Sequence, residues 1–400
     1  MATRNATSRR AKKSRRPSAR RGLVVRKHAG SSEDGPMTTL SIEGFRGIRK
    51  LEINDLKPLT VFTGDNGAGK STCLEAAFVL HGRTNALCVF PLQVRRGMGA
   101  FSAAGPSFLG LFAGGSAAGR AVISATTRNS ARLSLELTIE SSPEETVLLE
   151  QRDWSLERGD FVDPTNLKDV TTRAPLCFTA RRNGKIENQS ELVWVFNPPK
   201  SAQLMARGGK AGRPAALLMH PSGGTPPDDE DKQRYGDLRA AGRDGEVIEF
   251  MRQIDSRIAD VEFLETSQTR FFRAKLADGR SLPLGMLGGG AINAFRLGVN
   301  LAHVSDGFLA IDEVENGIYN RRLSTLFRAL VNHRKRLGTQ VMLATHSHEA
   351  LTAIVGAASE HDPDEFAVVH LRRDEHDDVR ATTIAGRDAK SSIEHGYDLR

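Results

Sequence analysis

Gly64-Asp65-Asn66-Gly67-Ala68-Gly69-Lys70-Ser71 matches the pattern G-x-x-x-x-G-K-S. Its glycines let backbone N–H groups turn inward around a phosphate, its lysine adds a point charge, and its serine hydroxyl can reach Mg²⁺. Residues 58–62 are rich in β-formers, and residues 72–80 suit a helix that stops at Gly82. This context favours a phosphate-binding loop over a fortuitous glycine-rich turn. The residues expected to contact a nucleotide are Asn66, Gly67, Ala68, Gly69, Lys70, Ser71 and Thr72.

Positive charge is concentrated at the amino terminus. The formal net charge is +8, and residues 1–36 carry eleven Lys or Arg against Glu33 and Asp34. That segment alone has a net charge of +9, so the remaining 364 residues are near neutral at −1. We expect residues 1–36 to be disordered, because their composition cannot bury apolar surface. Three roles stay open for them: an arm that binds nucleic acid or an anionic surface, a transit-type leader, or a dispensable tail before a start at Met37.

Cysteine usage and hydropathy bear on location. Cys73, Cys88 and Cys177 form no C-x-x-C pair, and an odd, sparse count is typical of a reducing cytosol. Residues 97–119 are uncharged but contain seven glycines and Pro106, which favours a flexible loop over a membrane span. We therefore expect a cytoplasmic protein without a membrane segment.

From residue 38 the pattern indicates a mixed α/β fold. Residues 121–196 suggest an antiparallel sheet, because apolar residues alternate with polar ones at 133–139 and Arg182-Asn183-Gly184-Lys185 is a hairpin signal. Residues 200–234 are rich in Gly, Pro and Asp and are expected to form a loop. A helix is predicted near Gly245, with an apolar stripe that we interpret as core packing: Ile248, Met251, Ile254, Ile258 and Val261. Further strands are predicted at 40–42, 51–53, 59–63, 308–311, 340–344, 366–371 and 379–384, with helices at 291–304 and 322–337.

This pattern divides the chain into four parts. Residues 1–36 form the basic tail, and residues 37–120 form the first part of an α/β core that carries the phosphate-binding loop. Residues 121–280 form an inserted antiparallel-β and helical lobe, and residues 281–400 complete the core.

Two carboxylates follow a hydrophobic strand in Phe308-Leu309-Ala310-Ile311-Asp312-Glu313. An Asp at the end of a buried strand beside a phosphate-binding loop can hold the Mg²⁺ shell. The Glu that follows can polarise an attacking water. Asp312 is therefore a candidate metal ligand together with Ser71, and Glu313 is a candidate catalytic group. By itself an apolar run followed by Asp-Glu is common, so this interpretation depends on the loop at 64–71.

A histidine and a glycine run complete the set of candidates. His346 ends the next predicted strand, where it could sense the γ-phosphate and the attacking water, unless it is a structural strand-end residue. Gly288, Gly289 and Gly290 precede a predicted helix, and helix N-termini carry unsatisfied N–H donors that bind anions. A plain flexible turn is the alternative for the glycines.

The order of these motifs resembles that of ABC-type ATPases, and more narrowly the branch that contains RecF and SMC proteins and the overcoming-lysogenization-defect (OLD) ATPases. Ser41-Ile42-Glu43-Gly44-Phe45-Arg46-Gly47-Ile48 is similar to the opening of that branch. Ile311-Asp312-Glu313-Val314-Glu315-Asn316-Gly317 resembles the D-E-x-E-N-G form of OLD-like bacterial ATPases. The resemblance covers residues 38–90 and 280–350 well, and Gly396-Tyr397-Asp398-Leu399-Arg400 suggestively.

The resemblance implies an ATP-hydrolysing P-loop ABC-type head with an inserted β/helical lobe, with ATP and Mg²⁺ bound. Lys70 would bind the β- and γ-phosphates, Ser71 and Asp312 the Mg²⁺, Glu313 would be the catalytic carboxylate and His346 the switch histidine. The glycine run would cap the nucleotide of a second copy, which implies a head-to-head homodimer. As a function it implies a switch that regulates a separate effector, a nuclease or toxin, in bacterial phage defence. The alternatives are a RecF-like DNA repair clamp, which would bind nucleic acid, and a non-hydrolysing ATP-bound scaffold.

Some positions depart from the family pattern. Gly288 and Ala291 stand where the signature has Ser and Gln, and Tyr319 stands where OLD-like members often have His. Gln93 is a candidate Mg²⁺-sensing glutamine with a poorly matched flank. In a transporter subunit, Lys70 and Gly288 would be separated by far fewer than 218 positions, and the 54 residues after His346 are expected to be too few for a fused nuclease domain. Asp362-Pro363-Asp364 is therefore expected to be a loop and not a metal-binding pair.

Overall fold

The computed structural model describes residues 34–95, 108–115, 119–139, 171–172, 176–197, 201–208, 216–220, 227–265 and 270–395. Within these ranges the strands are β1 Leu40–Phe45, β2 Ile48–Ile53, β3 Leu59–Gly64, β4 Arg120–Thr126, β5 Arg132–Ile139, β6 Thr171–Thr172, β7 Leu176–Arg182, β8 Lys185–Asn197, β9 Ser201–Gly208, β10 Ala216–Met219, β11 Ile258–Glu265, β12 Arg270–Leu276, β13 Ser281–Pro283, β14 Phe308–Ile311, β15 Gln340–Ala344, β16 Phe366–Arg373 and β17 Val379–Ala385. The α-helices are α1 Lys70–His81, α2 Phe90–Arg95, α3 Asp229–Ala240, α4 Asp244–Ile254, α5 Gly289–His303, α6 Asn320–Arg336, α7 His348–His361 and α8 Gly386–Glu394.

The central sheet positions the site. Its described strands follow the order β10-β14-β15-β3-β16-β17, and all neighbours are parallel except β16 and β17. Because parallel strands share one direction, their carboxyl ends meet at one edge of the sheet, where ligands of open α/β sheets bind. The segments that follow β3, β14 and β15 therefore converge there.

The central sheet is covered on both faces. On β14, Phe308 and Ala310 join a core that contains α1 and the second sheet, whereas Leu309 and Ile311 join a core that contains α4 to α7. A strand buried on both faces needs apolar side chains at every position, which explains the continuous apolar run of β14. This layered arrangement confirms the predicted α/β fold.

The second sheet is antiparallel, with the described order β2-β1-β4-β5-β7-β8-β6 and β9 paired with β8. The predicted hairpin joins β7 to β8, and Asn183 and Gly184 have φ values of 51° and 79° there. Positive φ at both central residues is what a tight two-residue hairpin requires. Strands β11, β12 and β13 form a third, antiparallel sheet.

Two expectations for the middle of the chain were wrong. Residues 200–234 contain β9, β10 and the start of α3 in addition to loop. The apolar stripe does not lie on one helix, since α4 ends at Ile254 and Ile258 and Val261 are on β11. Apolar residues at spacings of three and four occur in a single helix and also in a helix followed closely by a strand, so this pattern does not distinguish the two.

Strand pairing crosses the predicted domain boundaries. β1 and β2 share the second sheet with β4, and β10 belongs to the central sheet although it lies within 121–280.

The folded part of the chain begins before the predicted end of the disordered tail at residue 36. Asp34 is 7% exposed and forms ion pairs with Arg83 and Arg182, at 3.4 and 2.6 Å. The rest of the tail, at 1–33, lies outside the described residues, as do 97–107 and 116–118 of the predicted glycine-rich loop and the carboxyl-terminal residues 396–400.

Candidate nucleotide-binding site

The loop between β3 and α1 has the backbone of a phosphate-binding loop. Gly64, Gly67 and Gly69 have φ values of 128°, 81° and 105°, a region that side chains other than glycine disfavour. A Cβ added at Gly64 would lie 2.0 Å from the carbonyl oxygen of Leu371, so only glycine fits there. Helix α1 begins directly after this loop, at Lys70, and points its amino terminus at the same space.

Lys70 folds back over the loop. Its Nζ donates to the carbonyl oxygens of Gly64, at 2.6 Å, and Asp65, at 3.0 Å. Burial lowers the pKa of Lys70, and the nearby carboxylates, first Asp312 and then Asp65, oppose that shift. The ammonium group thus lies at the loop with acceptors that a phosphate oxygen could replace.

The structure brings most of the sequence-predicted residues together around one cleft of about 300 Å³. The predicted residues that line it are Asn66, Gly67, Gly69, Lys70, Ser71, Thr72, Asp312, Glu313 and His346. Ala68 is not among them, because its side chain is buried and its N–H donates to the carbonyl of Asp65. Gly288, Gly289 and Gly290 do not line this cleft either.

The two carboxylates after β14 lie in different environments. Asp312 is 7% exposed, and its backbone N–H donates to the carbonyl of Met219 on β10. Glu313 is exposed and has a φ of 51°, which is unusual for a residue with a side chain. Its Oε2 accepts a hydrogen bond from Nδ2 of Asn316 at 2.5 Å. The buried carboxylate suits a fixed metal ligand, and the exposed one suits a group that contacts solvent.

Glu315 connects the loop after β14 to the loop after β15. Its Oε1 accepts hydrogen bonds from Oγ1 of Thr345, at 2.8 Å, and from the backbone N–H of His346, at 3.3 Å. Nδ1 of His346 lies 3.5 Å from the same oxygen. The other oxygen, Oε2, is buried and has no hydrogen-bond partner among the described residues. Sequence analysis quoted Glu315 within a motif but assigned it no role.

Two further residues at the site were missed. Nδ1 of His220, which directly follows β10, lies 3.6 Å from Oδ2 of Asp312. His220 could have been found in the sequence, because it is a polar residue directly after the apolar run of β10, the same pattern that identified Asp312 after β14. Arg373, at the end of β16, lines the cleft and donates from Nε to the carbonyl of Gly67 at 2.8 Å. No sequence pattern marks an arginine that binds a backbone carbonyl so far away along the chain.

The remaining candidates lie as follows. Gln93 is on α2, and its side chain lies outside the described residues. Asp362 follows α7 and accepts from Arg334 and Lys335, and the expected loop that it begins contains a short 3-10 helix, Pro363–Glu365. Within the described ranges, no cluster of three or more His, Cys, Asp or Glu side chains could hold a metal ion by itself. No described helix combines the length and the apolar character needed to cross a membrane.

The phosphate-binding loop, the parallel strand order and the cleft together define a P-loop nucleotide-binding fold. Residues 59–352 match the family described as AAA domain, putative AbiEii toxin, Type IV TA system, and the chain belongs to that family. The family match confirms the predicted class of nucleotide hydrolase.

The chain is also similar to individual proteins. The chain is 24% identical over 345 residues to a Helicobacter pylori protein named ATP/GTP phosphatase, covering 78% of this chain and 85% of the relative. An SMC head domain from Thermotoga maritima is 13% identical with a TM-score of 0.44, over 87% of this chain and 99% of the other. A Pyrococcus furiosus Smc head with an extended coiled coil, bound to the C-terminal domain of ScpA, is 10% identical with a TM-score of 0.48, over 90% and 99%.

Proposed function

We propose that this chain binds ATP in the cleft between the phosphate-binding loop and the loops after β14 and β15, and hydrolyses it. The observation that carries the proposal is the convergence of Lys70, Asp312, Glu313 and His346 on one cleft. A cation over the phosphates, a buried carboxylate and an exposed carboxylate are the groups that phosphoryl transfer to water requires.

The residues present fit Mg²⁺. Ser71 and Asp312 offer a hydroxyl and a carboxylate oxygen, and Mg²⁺ prefers a few such oxygens together with water and phosphate oxygens. When bound, Mg²⁺ would neutralise the charge of the β- and γ-phosphates.

The protein's own groups then perform separate tasks. The loop amides and Lys70 bind and orient the phosphates. Glu313, whose exposed carboxylate is held by Asn316, positions the attacking water and accepts a hydrogen bond from it. His346 is held near Glu315 at the end of β15, from where its ring can donate to the γ-phosphate. Hydrolysis breaks the bond between the β,γ-bridging oxygen and the γ-phosphorus, and the water supplies the new oxygen.

Substitution of two of these residues tests the proposal. Lys70→Ala should abolish ATP binding while the protein stays folded, because the lysine is a cleft-lining cation and not part of the core. Glu313→Gln should bind ATP but lose hydrolysis, by roughly 10²–10⁴-fold for a positioned acid–base group. Calorimetric ATP titration and phosphate release separate the two effects. Equal ATP affinity for Lys70→Ala and wild type would refute the site, and an unchanged low rate in Glu313→Gln would favour the non-hydrolysing scaffold.

For the wider role, we propose an ATP-dependent homodimer of OLD-like type that acts as a cytoplasmic switch for a separate effector in phage defence. The absence of Gly288, Gly289 and Gly290 from the chain's own cleft supports their predicted action on the nucleotide of a second copy. Met286, two residues before these glycines, is 72% exposed. A Cβ added at Gly290 would lie 3.8 Å from the carbonyl oxygen of Gly317, and Tyr319, two residues after Gly317, is 66% exposed. Sizing of Glu313→Gln with and without ATP tests the dimer, and a monomer under both conditions would contradict it.

A further inference from the structure

We propose that Arg373 is a positioning residue that fixes the tip of the phosphate-binding loop and thereby sets nucleotide affinity. This inference rests on the proposed nucleotide site. Arg373 ends β16, and its side chain is 29% exposed and lines the cleft.

Three segments of the chain meet at the Arg373 guanidinium. Nε donates to the carbonyl of Gly67 in the loop, at 2.8 Å, and Nη2 donates to the carbonyl of Gly47 in the β1–β2 turn, at 3.1 Å. Nη1 donates to the carbonyl of Asp377, at 2.8 Å, and lies 2.9 Å from its Oδ1. A planar guanidinium presents its donors in a fixed fork, so these contacts fix the three segments relative to one another.

The tip of the loop has few other supports. Residues 65–67 are exposed, and no atom lies within 4 Å of the position that a Cβ of Gly67 would occupy. The peptide that joins Gly67 to Ala68 is held at both ends: its carbonyl by Arg373, and its N–H by the carbonyl of Asp65 at 3.1 Å. Glycine loses more conformational freedom on ordering than other residues, so an anchor here reduces the entropy that a nucleotide must otherwise overcome.

Arg49 provides a matched control. Arg49 lies on β2, two residues after Gly47, and joins this strand to the turn between β16 and β17. Its Nη2 donates to the carbonyl of His376, and its Nε lies 3.0 Å from Oδ1 of Asp378. Among the described residues, Arg49 makes no hydrogen bond or ion pair with the phosphate-binding loop, and it does not line the cleft. Removal of the Arg49 side chain therefore measures how much these neighbouring contacts contribute to nucleotide affinity while the hydrogen bond from Arg373 to Gly67 is kept.

The experiment is a calorimetric titration of ADP and ATP into wild type, Arg373→Gln, Arg373→Lys, Arg49→Gln and Lys70→Ala, with unfolding midpoints measured without nucleotide. We expect Arg373→Gln to weaken both nucleotides about tenfold, as loss of one charge-assisted hydrogen bond would. Arg373→Lys should recover part of that loss, because one ammonium can reach one of the two carbonyls. Arg49→Gln should bind like wild type.

Three results would overturn the inference. One is an unchanged affinity in Arg373→Gln, or in Arg373→Lys if the glutamine variant does not fold. Another is an equal loss of nucleotide affinity in Arg49→Gln, which would show that contacts with the β16–β17 turn, and not the hydrogen bond to Gly67, set the affinity. The third is a loss confined to ATP, which would indicate direct contact with the γ-phosphate. Failure of the nucleotide site itself is separate, because Lys70→Ala would then bind like wild type.

Discussion

Glu313 is held in a left-handed backbone conformation that its side chain disfavours. A non-glycine residue there costs about 1 kcal/mol or more and persists where neighbouring contacts hold it. Asn316 supplies two of these contacts: Nδ2 donates to Oε2 at 2.5 Å, and the backbone N–H donates to the Glu313 carbonyl at 3.0 Å. The carbonyl of Asn316 in turn accepts from Nδ2 of Asn293 on α5, at 2.7 Å. The orientation of the candidate catalytic carboxylate thus depends on one neutral amide.

Asn316→Ala should therefore slow hydrolysis without weakening ATP binding. We expect kcat to fall about tenfold, the effect of losing one hydrogen bond to a charged group, with an unchanged Kd for ATP. Asn316→Asp keeps the shape and removes the donor, so it should be at least as slow. Phosphate release and ATP titration of both variants measure the split. Wild-type turnover in Asn316→Asp would show that the amide does not orient Glu313.

The position of a side chain at the cleft was predictable where it follows a recognisable strand or belongs to a recognisable loop. Asp312 and His346 closely follow β14 and β15, and Lys70 ends the glycine-rich loop that follows β3. Parallel strands bring such positions to one edge. Arg373 and Glu315 could not be assigned in this way. Their partners are Gly67, Thr345 and His346, and contacts with a distant backbone carbonyl or hydroxyl leave no spacing pattern in the sequence.

At the scale of elements, helix α1 couples the site to the central sheet. Lys70 begins the helix, and His81 ends it with its ring stacked on Phe308 of β14, at a centroid distance of 4.4 Å. Burial, with a smaller contribution from Arg83, lowers the pKa of His81 to about 4, against the opposing effect of its contact with the Ala77 carbonyl. The folded protein thus favours the neutral ring.

This shift predicts a pH-dependent stability. The folded pKa lies below the unfolded value of about 6.5, so the stabilisation is complete above that pH and declines as the pH falls toward about 4. The slope for one proton is at most about 1.4 kcal/mol per pH unit. His81→Phe should flatten urea unfolding free energies between pH 7 and 5, whereas exposed His348→Gln should not. An identical pH slope in His81→Phe would show that other groups cause the dependence.

Helices and strands with a clear local sequence pattern were predictable. Strands that form only because they pair with a distant strand were not. β14 and β15 are apolar throughout because both faces are buried, and their predicted bounds match the structure. β10 has only four residues and is a strand because it pairs with β14 in parallel register. The helices α7 and α8 were not predicted. Ser347 caps α7 by accepting from Ala350, a signal that the interpretation of Ala344-Thr345-His346-Ser347 left unused.

At the scale of the whole molecule, the cleft lies where the two large sheets meet. Gly47 from the second sheet and Arg373 from the central sheet both line it. A hydrogen bond from Oγ1 of Thr383 on β17 to the carbonyl of Asn54, at 2.8 Å, joins the sheets farther from the cleft. The amino-terminal segment contributes to this assembly as well, since Met37 exchanges two 2.9 Å hydrogen bonds with the side chain of Gln340 on β15.

The starting residue should therefore affect stability. A chain that begins at Asp34 keeps the ion pairs to Arg83 and Arg182, whereas one that begins at Met37 loses them. We expect the shorter chain to be about 1–3 kcal/mol less stable, because the mostly buried Arg83 loses Asp34 as an ion-pair partner. Arg83 keeps its ion pair with Glu187 in both chains. Asp34→Asn in the full chain should reproduce most of this loss. Urea unfolding of the three proteins measures this loss of stability. Equal stability of the chains that begin at Asp34 and at Met37 would support the boundary predicted at Met37.

Charge is distributed unevenly over the chain, and this predicts separate functions for the tail and the ATPase. Residues 1–36 carry a net charge of +9, whereas the remainder carries −1. If the chain binds DNA, as the clamp alternative requires, the tail should supply the affinity by neutralising phosphates without sequence preference, and binding should weaken steeply as salt rises. A chain that begins at Asp34 should hydrolyse ATP like the full protein but lose this binding to duplex and single-stranded DNA at 50 mM salt. Binding that persists in the shorter chain with the same salt dependence would place a basic site in the folded body and favour the clamp.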